Sequence, residues 1–197
     1  MKVVLASFNP DKLRELEALI QMPGVFLVGL HQYPSASPPP ETGETVEENA
    51  RIKARAAVRA TGLPAIADDT GLEVDALGGL PGVRAARLAG PKASYSDNVR
   101  RLLELLTGVE PPRRTARFRT VCVACFPDGE EVAGEGILEG WITNHPRGSG
   151  AFGYDPVFEV ADLGRTLAEL TDVEKNAISH RARAVRDLMA RLDKLRK

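Results

Sequence analysis

Two adjacent aspartates, Asp68 and Asp69, end a short apolar run at residues 65–67 and precede a loop rich in glycine. Each carboxylate raises the cost of ionising the other, and both lose favourable hydration when they leave water. The end of a strand does not need acids, so the pair indicates a compensating cation. Magnesium is typically held by one or two protein carboxylates together with substrate phosphates. Glu41, just beyond three prolines, is a further candidate ligand.

The residues from Ser7 to Lys12 read SFNPDK and combine a helix start with a cation. Asn9 suits the position that caps a helix, and Pro10 suits the first helical residue. Backbone N–H groups at such a strand-to-helix turn bind anions, and Lys12 adds positive charge. The glycine spacing of a Walker loop or a dinucleotide-binding fingerprint is absent. A capped helix that binds nothing explains the turn equally well.

Two later segments supply aromatic and polar groups. Residues 148–158 read GSGAFGYDPVF, in which glycines at 148, 150 and 153 let the backbone approach a ligand. Phe152 and Tyr154 offer rings for stacking on a planar base, although a tight loop with core aromatics would have the same composition. The second segment, residues 174–181, contains a histidine, and a lone histidine would more often be structural. We interpret four polar residues of this segment together as a recognition edge: Lys175, Ser179, His180 and Arg181.

The spacing of apolar residues predicts the elements that position these groups. Strands are expected near residues 3–6, 25–29, 65–69, 115–126 and 131–141. Helices are expected from Pro10, after a Thr45–Glu48 capping box, after Ser94 or Ser96, and as one final helix through Ile178, Ala182, Val185, Met189 and Leu192. The turn at 127–129 makes the last two strands a hairpin. The chain is therefore predicted to be an α/β protein with a mixed sheet, parallel early and antiparallel late.

Charge is unevenly distributed along the chain. Residues 175–197 contain eight Lys or Arg and two acids, whereas residues 40–49 contain four glutamates. One acidic and one basic pole suit a ligand that carries phosphates and arrives with a metal. Glu44, Glu47 and Glu48 also suit the positive end of a helix dipole, so we interpret these three as helix-start acids.

Composition limits the class of partner. The chain has 197 residues, 43% of them hydrophobic, and a net charge of -1, which argues against a nucleic-acid partner. No apolar run approaches the ~20 residues of a membrane span, and the N-terminus does not resemble a signal peptide. A cytoplasmic protein without a membrane partner is expected. Cys122 and Cys125 have no second pair to complete a zinc site, so both are expected to be buried and free.

Five segments resemble, in this order, the inosine triphosphate pyrophosphatase family, also called Ham1 or RdgB-type pyrophosphatases: SFNPDK, ETGETVEENA, ADDTGLEVDALGGLPGV, GAFGYDPVF and ELTDVEKNAISHRARA. The resemblance covers essentially the whole chain and implies a single domain over 1–197. It implies a mixed, curved sheet with helices on both sides and two lobes around one nucleotide cleft, as in Maf-like proteins. It also implies a Mg²⁺-dependent homodimer that hydrolyses ITP, dITP and XTP to monophosphate and pyrophosphate, which keeps deaminated bases out of DNA and RNA.

The resemblance also implies roles for individual residues. Asp69 is the proton acceptor and organises Mg²⁺ together with Glu41, while Asp68 supports it. Phe8 stands where glycine is common in the family, and Ala85 stands where serine is frequent. Phe8 and Thr70 contact the substrate, and the triphosphate is held by Ser7, Asn9 and Lys12. The base pocket is formed by the remaining implied residues: Phe152, Gly153, Tyr154, Asp155, Lys175, His180 and Arg181.

Three other interpretations explain parts of the sequence. A Maf-type pyrophosphatase would act on other nucleotides, but the segment EKNAISHR argues against it. A nucleotide sensor without turnover would not need Asp68, Asp69 and Lys12 to be intact. A nucleic-acid module that used the basic last helix would leave the acidic pair unexplained, and such a helix is more often a solvated face.

Overall fold

The computed structural model describes residues 1–149 and 152–195. The helices are α1 (Pro10–Leu19), α2 (Val46–Thr61), α3 (Tyr95–Leu105), α4 (Asp172–Ile178) and α5 (His180–Leu195). The strands are β1 (Lys2–Leu5), β2 (Phe26–Gly29), β3 (Ala65–Val74), β4 (Pro81–Gly82), β5 (Thr115–Cys125), β6 (Glu131–Ile142) and β7 (Phe158–Val160). None of the helices within those described ranges is long and apolar enough to cross a membrane.

The strands form a mixed sheet in the order β2-β1-β3-β5-β6-β7, with β4 beside β3. β1 runs parallel to both of its neighbours, β2 and β3. Val4 pairs with Val28 on one side and with Ala65 on the other. The pairs β3–β4 and β6–β7 are antiparallel. β5 and β6 are neighbours joined by a tight turn at 126–130, and so short a connection requires an antiparallel hairpin. The predicted α/β class with a mixed sheet is confirmed.

The chain folds as two compact units, each assembled from separate stretches of sequence. The first unit comprises residues 1–69, 120–136 and those from 180 onward. The second unit comprises residues 70–119 and 137–179. β3, β5 and β6 therefore contribute residues to both units. The single domain over 1–197 and the two lobes around a nucleotide cleft stay predictions.

In the first unit, α5 packs very closely on β6. A Cβ added at Gly134 would lie 2.2 Å from the backbone nitrogen of Leu188, and one added at Gly136 would lie 2.1 Å from the carbonyl oxygen of His180. Only glycine allows backbones to approach this closely. The start of α5 is thereby fixed against the sheet. The surrounding core includes Val3, Leu5, Leu16, Ile66, Cys122, Val185 and Leu188.

The second unit has its own hydrophobic core. The rings of Phe118 on β5 and Phe158 on β7 pack with their centroids 4.6 Å apart. The buried residues of α3 recur at helical spacing and therefore lie on one face of the helix. This face packs into the core of the second unit. Other members of the core are Leu72, Val74, Val99, Leu102, Leu106, Leu138, Ile142 and Val157.

Most of the predicted element boundaries are confirmed. Asn9 caps α1, and Thr45 and Glu48 form the capping box of α2. Ser94, and not Ser96, caps α3. β3 extends to Val74, five residues past the predicted end at Asp69. The strand continues because Leu72 and Val74 enter the core of the second unit.

The prediction of one final helix is wrong. α4 ends at Ile178 and α5 begins at His180, and Ser179 between them has an extended backbone with φ −60° and ψ 156°. Serine is among the residues that favour this conformation next to a helix start. The apolar spacing from Ile178 to Ala182 and Val185 runs across the break, so the periodicity did not reveal it.

The two cysteines are buried and free, as predicted. Burial raises the pKa of the Cys125 thiol to about 12, and the Glu131 carboxylate adds to the effect. Burial also raises the pKa of the Cys122 thiol. Because the thiolate is the reactive form, both cysteines behave as small apolar residues.

Candidate active site

The SFNPDK turn is tightly capped. The Asn9 side chain accepts hydrogen bonds from the backbone N–H groups of Asp11 at 2.9 Å and Lys12 at 3.3 Å. The Ser7 hydroxyl accepts from the N–H of Asn9 at 3.2 Å. Phe8 is exposed. The capped helix is confirmed, while phosphate binding by Ser7, Asn9 and Lys12 and the substrate contact of Phe8 stay predictions.

Asp68 is buried at the centre of an ion-pair cluster in the first unit. Its Oδ2 lies 3.3 Å from the Lys12 ammonium and accepts a hydrogen bond from Arg181 Nε at 3.0 Å. Burial alone would raise the pKa of Asp68, but Lys12 and Arg181 prevail and lower it well below its ordinary value. Burial lowers the pKa of Lys12 even with Asp68 beside it. An anionic phosphate near Lys12 would therefore favour its charged form.

Asp69 has a different environment from its neighbour. Its Oδ1 accepts a hydrogen bond from the Lys53 ammonium at 2.6 Å. Its Oδ2 is buried and has no hydrogen-bond partner among the described residues. Burial raises the pKa of Asp69 and outweighs the opposing charges of Lys53 and Lys12. The two aspartates therefore differ, because the pKa of Asp68 is lowered and that of Asp69 is raised.

Lys53 is a site residue that the sequence interpretation missed. Its ammonium lies 3.1 Å from Glu41 Oε1 as well as 2.6 Å from Asp69, so it bridges the two predicted metal ligands. Burial works against the ammonium, but the two carboxylates more than offset this and the pKa of Lys53 is raised. One signal was available, because Lys53 lies at helical spacing from Ala50 and Ala57 on the apolar face of α2. A lysine on such a face requires a buried anionic partner.

Glu41 and Asp69 fit a hard divalent cation. Both present carboxylate oxygens within ion-pair distance of the same ammonium, and Asp69 Oδ2 is an unpaired buried acceptor within the described part of the chain. No group of three or more His, Cys, Asp or Glu suited to a metal occurs in residues 1–149 and 152–195. Mg²⁺ is usually bound by one or two protein carboxylates together with substrate phosphate oxygens, so these two carboxylates suit this ion.

His180 and Arg181 lie at the start of α5 and are both buried. His180 Nδ1 is 2.6 Å from the Thr120 hydroxyl. The Arg181 guanidinium binds Asp68 and also Glu15. The structure thus brings Arg181 together with Asp68 and Lys12, and base recognition by His180 and Arg181 stays a prediction.

The second unit brings together three of the predicted base-binding residues. The Lys175 ammonium donates to Asp155 Oδ2 at 2.6 Å and lies 5.0 Å from the centroid of the Phe152 ring. Tyr95 packs edge-on against the same ring with the centroids 5.5 Å apart. A cation, an aromatic ring and a carboxylate therefore lie together in the second unit, an arrangement that suits a planar polar base.

Other predicted residues of this unit lie in the fold as follows. Tyr154 is a core residue whose hydroxyl donates to the Ala85 carbonyl at 2.7 Å. Gly153 has φ 57°, a left-handed conformation that favours glycine. Thr70 is partly buried on β3. Gly150 of the predicted glycine-rich loop lies outside the described residues.

The sequence of this chain matches the family model of the Ham1 family over residues 3–191. A dITP/XTP pyrophosphatase of Methylococcus capsulatus is 54% identical over 197 residues, which is 97% of this chain and 96% of that protein. One of Symbiobacterium thermophilum is 50% identical over 98% of this chain and 96% of that protein.

Solved structures show the same fold. A HAM1 protein from Coxiella burnetii superposes with a TM-score of 0.88 at 40% identity, covering 98% of this chain and 99% of that one. A nucleoside-triphosphatase / dITP/XTP pyrophosphatase from Mycobacterium abscessus has a TM-score of 0.77 at 46% identity, covering 94% and 97% of the two chains. Sequence and fold agree, and this chain belongs to the Ham1 family.

Proposed function

We propose that this chain hydrolyses deaminated purine nucleoside triphosphates, namely ITP, dITP and XTP, to the nucleoside monophosphate and pyrophosphate. Relatives named dITP/XTP pyrophosphatase, 50–54% identical over nearly the full length, support this activity. The observation that carries it is the buried Asp69, which is bound to Lys53 on one oxygen and has no hydrogen-bond partner within the described residues on the other. Removal of these triphosphates would keep deaminated bases out of DNA and RNA.

The reaction proceeds through attack by water on the α-phosphorus. Asp69 takes a proton from the water as a bond forms between the water oxygen and phosphorus. The bond from the α-phosphorus to the oxygen that bridges to the β-phosphorus breaks, and pyrophosphate leaves. The raised pKa of Asp69 makes it a stronger base than an ordinary carboxylate. Lys53 and Lys12 offset the negative charge that develops on the phosphate oxygens.

Glu41 and Asp69 would hold Mg²⁺. When bound, the ion supplies charge neutralisation at the triphosphate, which is the usual contribution of a metal to phosphoryl transfer. Lys53 holds the two carboxylates together. Asp68 acts differently, because its pairing with Lys12 and Arg181 fixes those cations in place.

The base is selected by donors in the second unit. Hypoxanthine and xanthine carry an oxygen at position 6, where adenine carries an amino group. Lys175 has three donors and no acceptor, and Asp155 holds it beside the Phe152 ring. A site that hydrogen-bonds a substrate group rejects analogues lacking it by up to ~10⁴-fold. Because Arg181 is engaged with Asp68 and Glu15, Lys175 is the better candidate reader of the oxygen.

A panel of nucleotides tests the proposed substrate class. Initial rates are measured for dITP, XTP, dATP and dGTP at equal concentration with excess Mg²⁺. We expect dITP and XTP to be hydrolysed at least ~10²-fold faster than dATP, within the range that unpaired donors can produce. Equal rates for dITP and dATP would contradict the proposed specificity.

Glu41 and Glu47 separate a metal ligand from a helix-start acid. We expect Glu41→Gln to raise the Mg²⁺ concentration for half-maximal rate ~10-fold or more, because one of two protein carboxylates is lost. Glu47 lies in the first turn of α2 and pairs with Arg51 at 2.6 Å, so Glu47→Gln should change stability by ~0.3–1 kcal/mol only. Mg²⁺ titrations of both variants provide the check, and the same Mg²⁺ dependence in both would rule out Glu41 as a ligand.

We also propose that the protein works as a cytoplasmic homodimer, with no nucleic-acid or membrane partner. The dimer is what the resemblance of the five sequence segments implies, and the net charge of -1 supports the absence of a nucleic-acid partner. Analytical ultracentrifugation at micromolar concentration measures the mass directly. A species of 21.2 kDa, the mass of one chain, would contradict the dimer.

A further inference from the structure

Asn49, in the first turn of α2, is fully buried but only half satisfied. Its Oδ1 accepts a hydrogen bond from the N–H of Gly43 at 2.8 Å. Its Nδ2 has no hydrogen-bond partner among the residues that the structure describes. A buried unpaired donor is destabilising, because it has lost its hydrogen bonds to water. Stability alone does not explain an amide here, so its role lies in what its oxygen holds.

Asn98 occupies the same position in the second unit and shows the contrast. Asn49 and Asn98 each follow directly after a capping box, at the start of α2 and α3 respectively. Asn98 Oδ1 accepts from the N–H of Ala89 at 2.9 Å, and its Nδ2 donates to the Ala86 carbonyl at 3.1 Å. Both asparagines tie the preceding loop to the start of a helix. Among the described residues, the Nδ2 of Asn49 has no hydrogen-bond partner, whereas the Nδ2 of Asn98 has one.

The loop held by Asn49 carries Glu41. A Cβ added at Gly43 would lie 2.8 Å from Asn49 Oδ1 and 2.7 Å from the Cβ of Glu48, so the backbone is pressed against α2. The next N–H, that of Glu44, donates to the Glu48 carboxylate at 2.7 Å. Residues 43–45 are therefore fixed on the start of the helix.

Glu41 lies two residues before Gly43, and Lys53 lies one helical turn after Asn49. Residues four apart share a face of a helix. Lys53 binds the Glu41 carboxylate at 3.1 Å, and Asn49 binds the Gly43 backbone. One face of α2 thus holds both the side chain and the backbone of the segment that presents Glu41.

We propose that Asn49 is a positioning residue for Glu41, acting through the Gly43 N–H to hold this carboxylate where it meets Mg²⁺. The inference rests on the proposed function. Without the bond, the Gly43 backbone loses its attachment to Asn49, and the Glu41 carboxylate is less well preorganised. Partners that orient a metal ligand typically change metal affinity by 10–100-fold when removed.

Two variants test this role. Asn49→Leu removes the acceptor, and Gly43→Ala forces the loop away from Asn49. For each we expect the Mg²⁺ concentration for half-maximal dITP hydrolysis to rise about tenfold or more, with the rate at saturating Mg²⁺ within about threefold of wild type. Asn98→Leu is the matched control, because it loses the equivalent bond in α3 and should keep the wild-type Mg²⁺ half-saturation.

A measurement without metal or nucleotide accompanies the titration. In Asn49→Leu the Gly43 amide proton should exchange with solvent faster than in the wild type, and in Asn98→Leu its rate should be unchanged. If the wild type hydrolyses dITP but Asn49→Leu keeps either its Mg²⁺ half-saturation or its Gly43 exchange rate, the inference is wrong. A wild type that fails to hydrolyse dITP would instead overturn the proposed function.

Discussion

Asp69→Asn should reduce the turnover of dITP by ~10²–10⁴-fold, the range expected when a general base is lost. Asparagine keeps the size and shape of the side chain but removes its charge and its basicity. The loss should fall mainly on kcat, since Lys12 and the capped turn at Asn9 remain to bind phosphate. Steady-state kinetics at saturating Mg²⁺ separate the two parameters.

Asp128→Asn is the matched control for this loss. Asp128 lies in the exposed β5–β6 turn of the same unit, where its side chain accepts from the N–H of Glu130. Asparagine makes the same bond, so wild-type turnover is expected. Near-normal turnover in Asp69→Asn would remove Asp69 from the mechanism.

The pH profile gives a second test of the same residue. Burial raises the pKa of Asp69, so its base form is lost at a higher pH than for an ordinary carboxyl group. Wild-type kcat should therefore fall as the pH drops and Asp69 takes up a proton, and it should recover as the pH rises. A profile with no acid limb would contradict Asp69 as the base.

Arg181→Leu should lower the free energy of unfolding by ~3–5 kcal/mol, because it leaves the buried carboxylate of Asp68 with one cation fewer. The Arg181 side chain is almost completely buried and binds Asp68 and Glu15. Urea denaturation measures the effect. A loss of activity in this variant would not by itself assign base recognition to Arg181, since the positions of Asp68 and Lys12 would change with it.

Arg191→Leu, in the same helix, is the control. The Arg191 side chain is 57% exposed and pairs with Asp187 one turn earlier. Such surface pairs contribute little, so a change within ~0.5 kcal/mol is expected. Similar unfolding curves for the two variants would show that the cluster at Asp68 does not stabilise the first unit.

Local patterns predicted much of the fold. The caps at Asn9, Thr45 and Ser94 are set by hydrogen bonds within four residues, which is why sequence spacing identifies them. The break at Ser179 was missed because the apolar spacing continues across it. The end of β3 was placed too early because Leu72 and Val74 are buried by residues distant in sequence.

The same difference between local and long-range contacts decides which parts of the candidate site the sequence predicted. The acidic pair is adjacent in sequence and was predicted, but the partners that distinguish its members were not. Lys53 meets Asp69 across 16 residues, and Arg181 meets Asp68 across 113. Asn49 was missed for a related reason, since an asparagine in a first helical turn gives no sign of which loop it binds. Such pairings depend on the tertiary fold, which spacing along one chain does not encode.

The products formed from dITP in ¹⁸O-labelled water test the central claim most directly. Attack by water on the α-phosphorus should give one dIMP and one pyrophosphate per dITP consumed, with the label in dIMP. These products are resolved by chromatography and mass spectrometry. Release of orthophosphate with dIDP, or label in pyrophosphate, would contradict the proposed reaction.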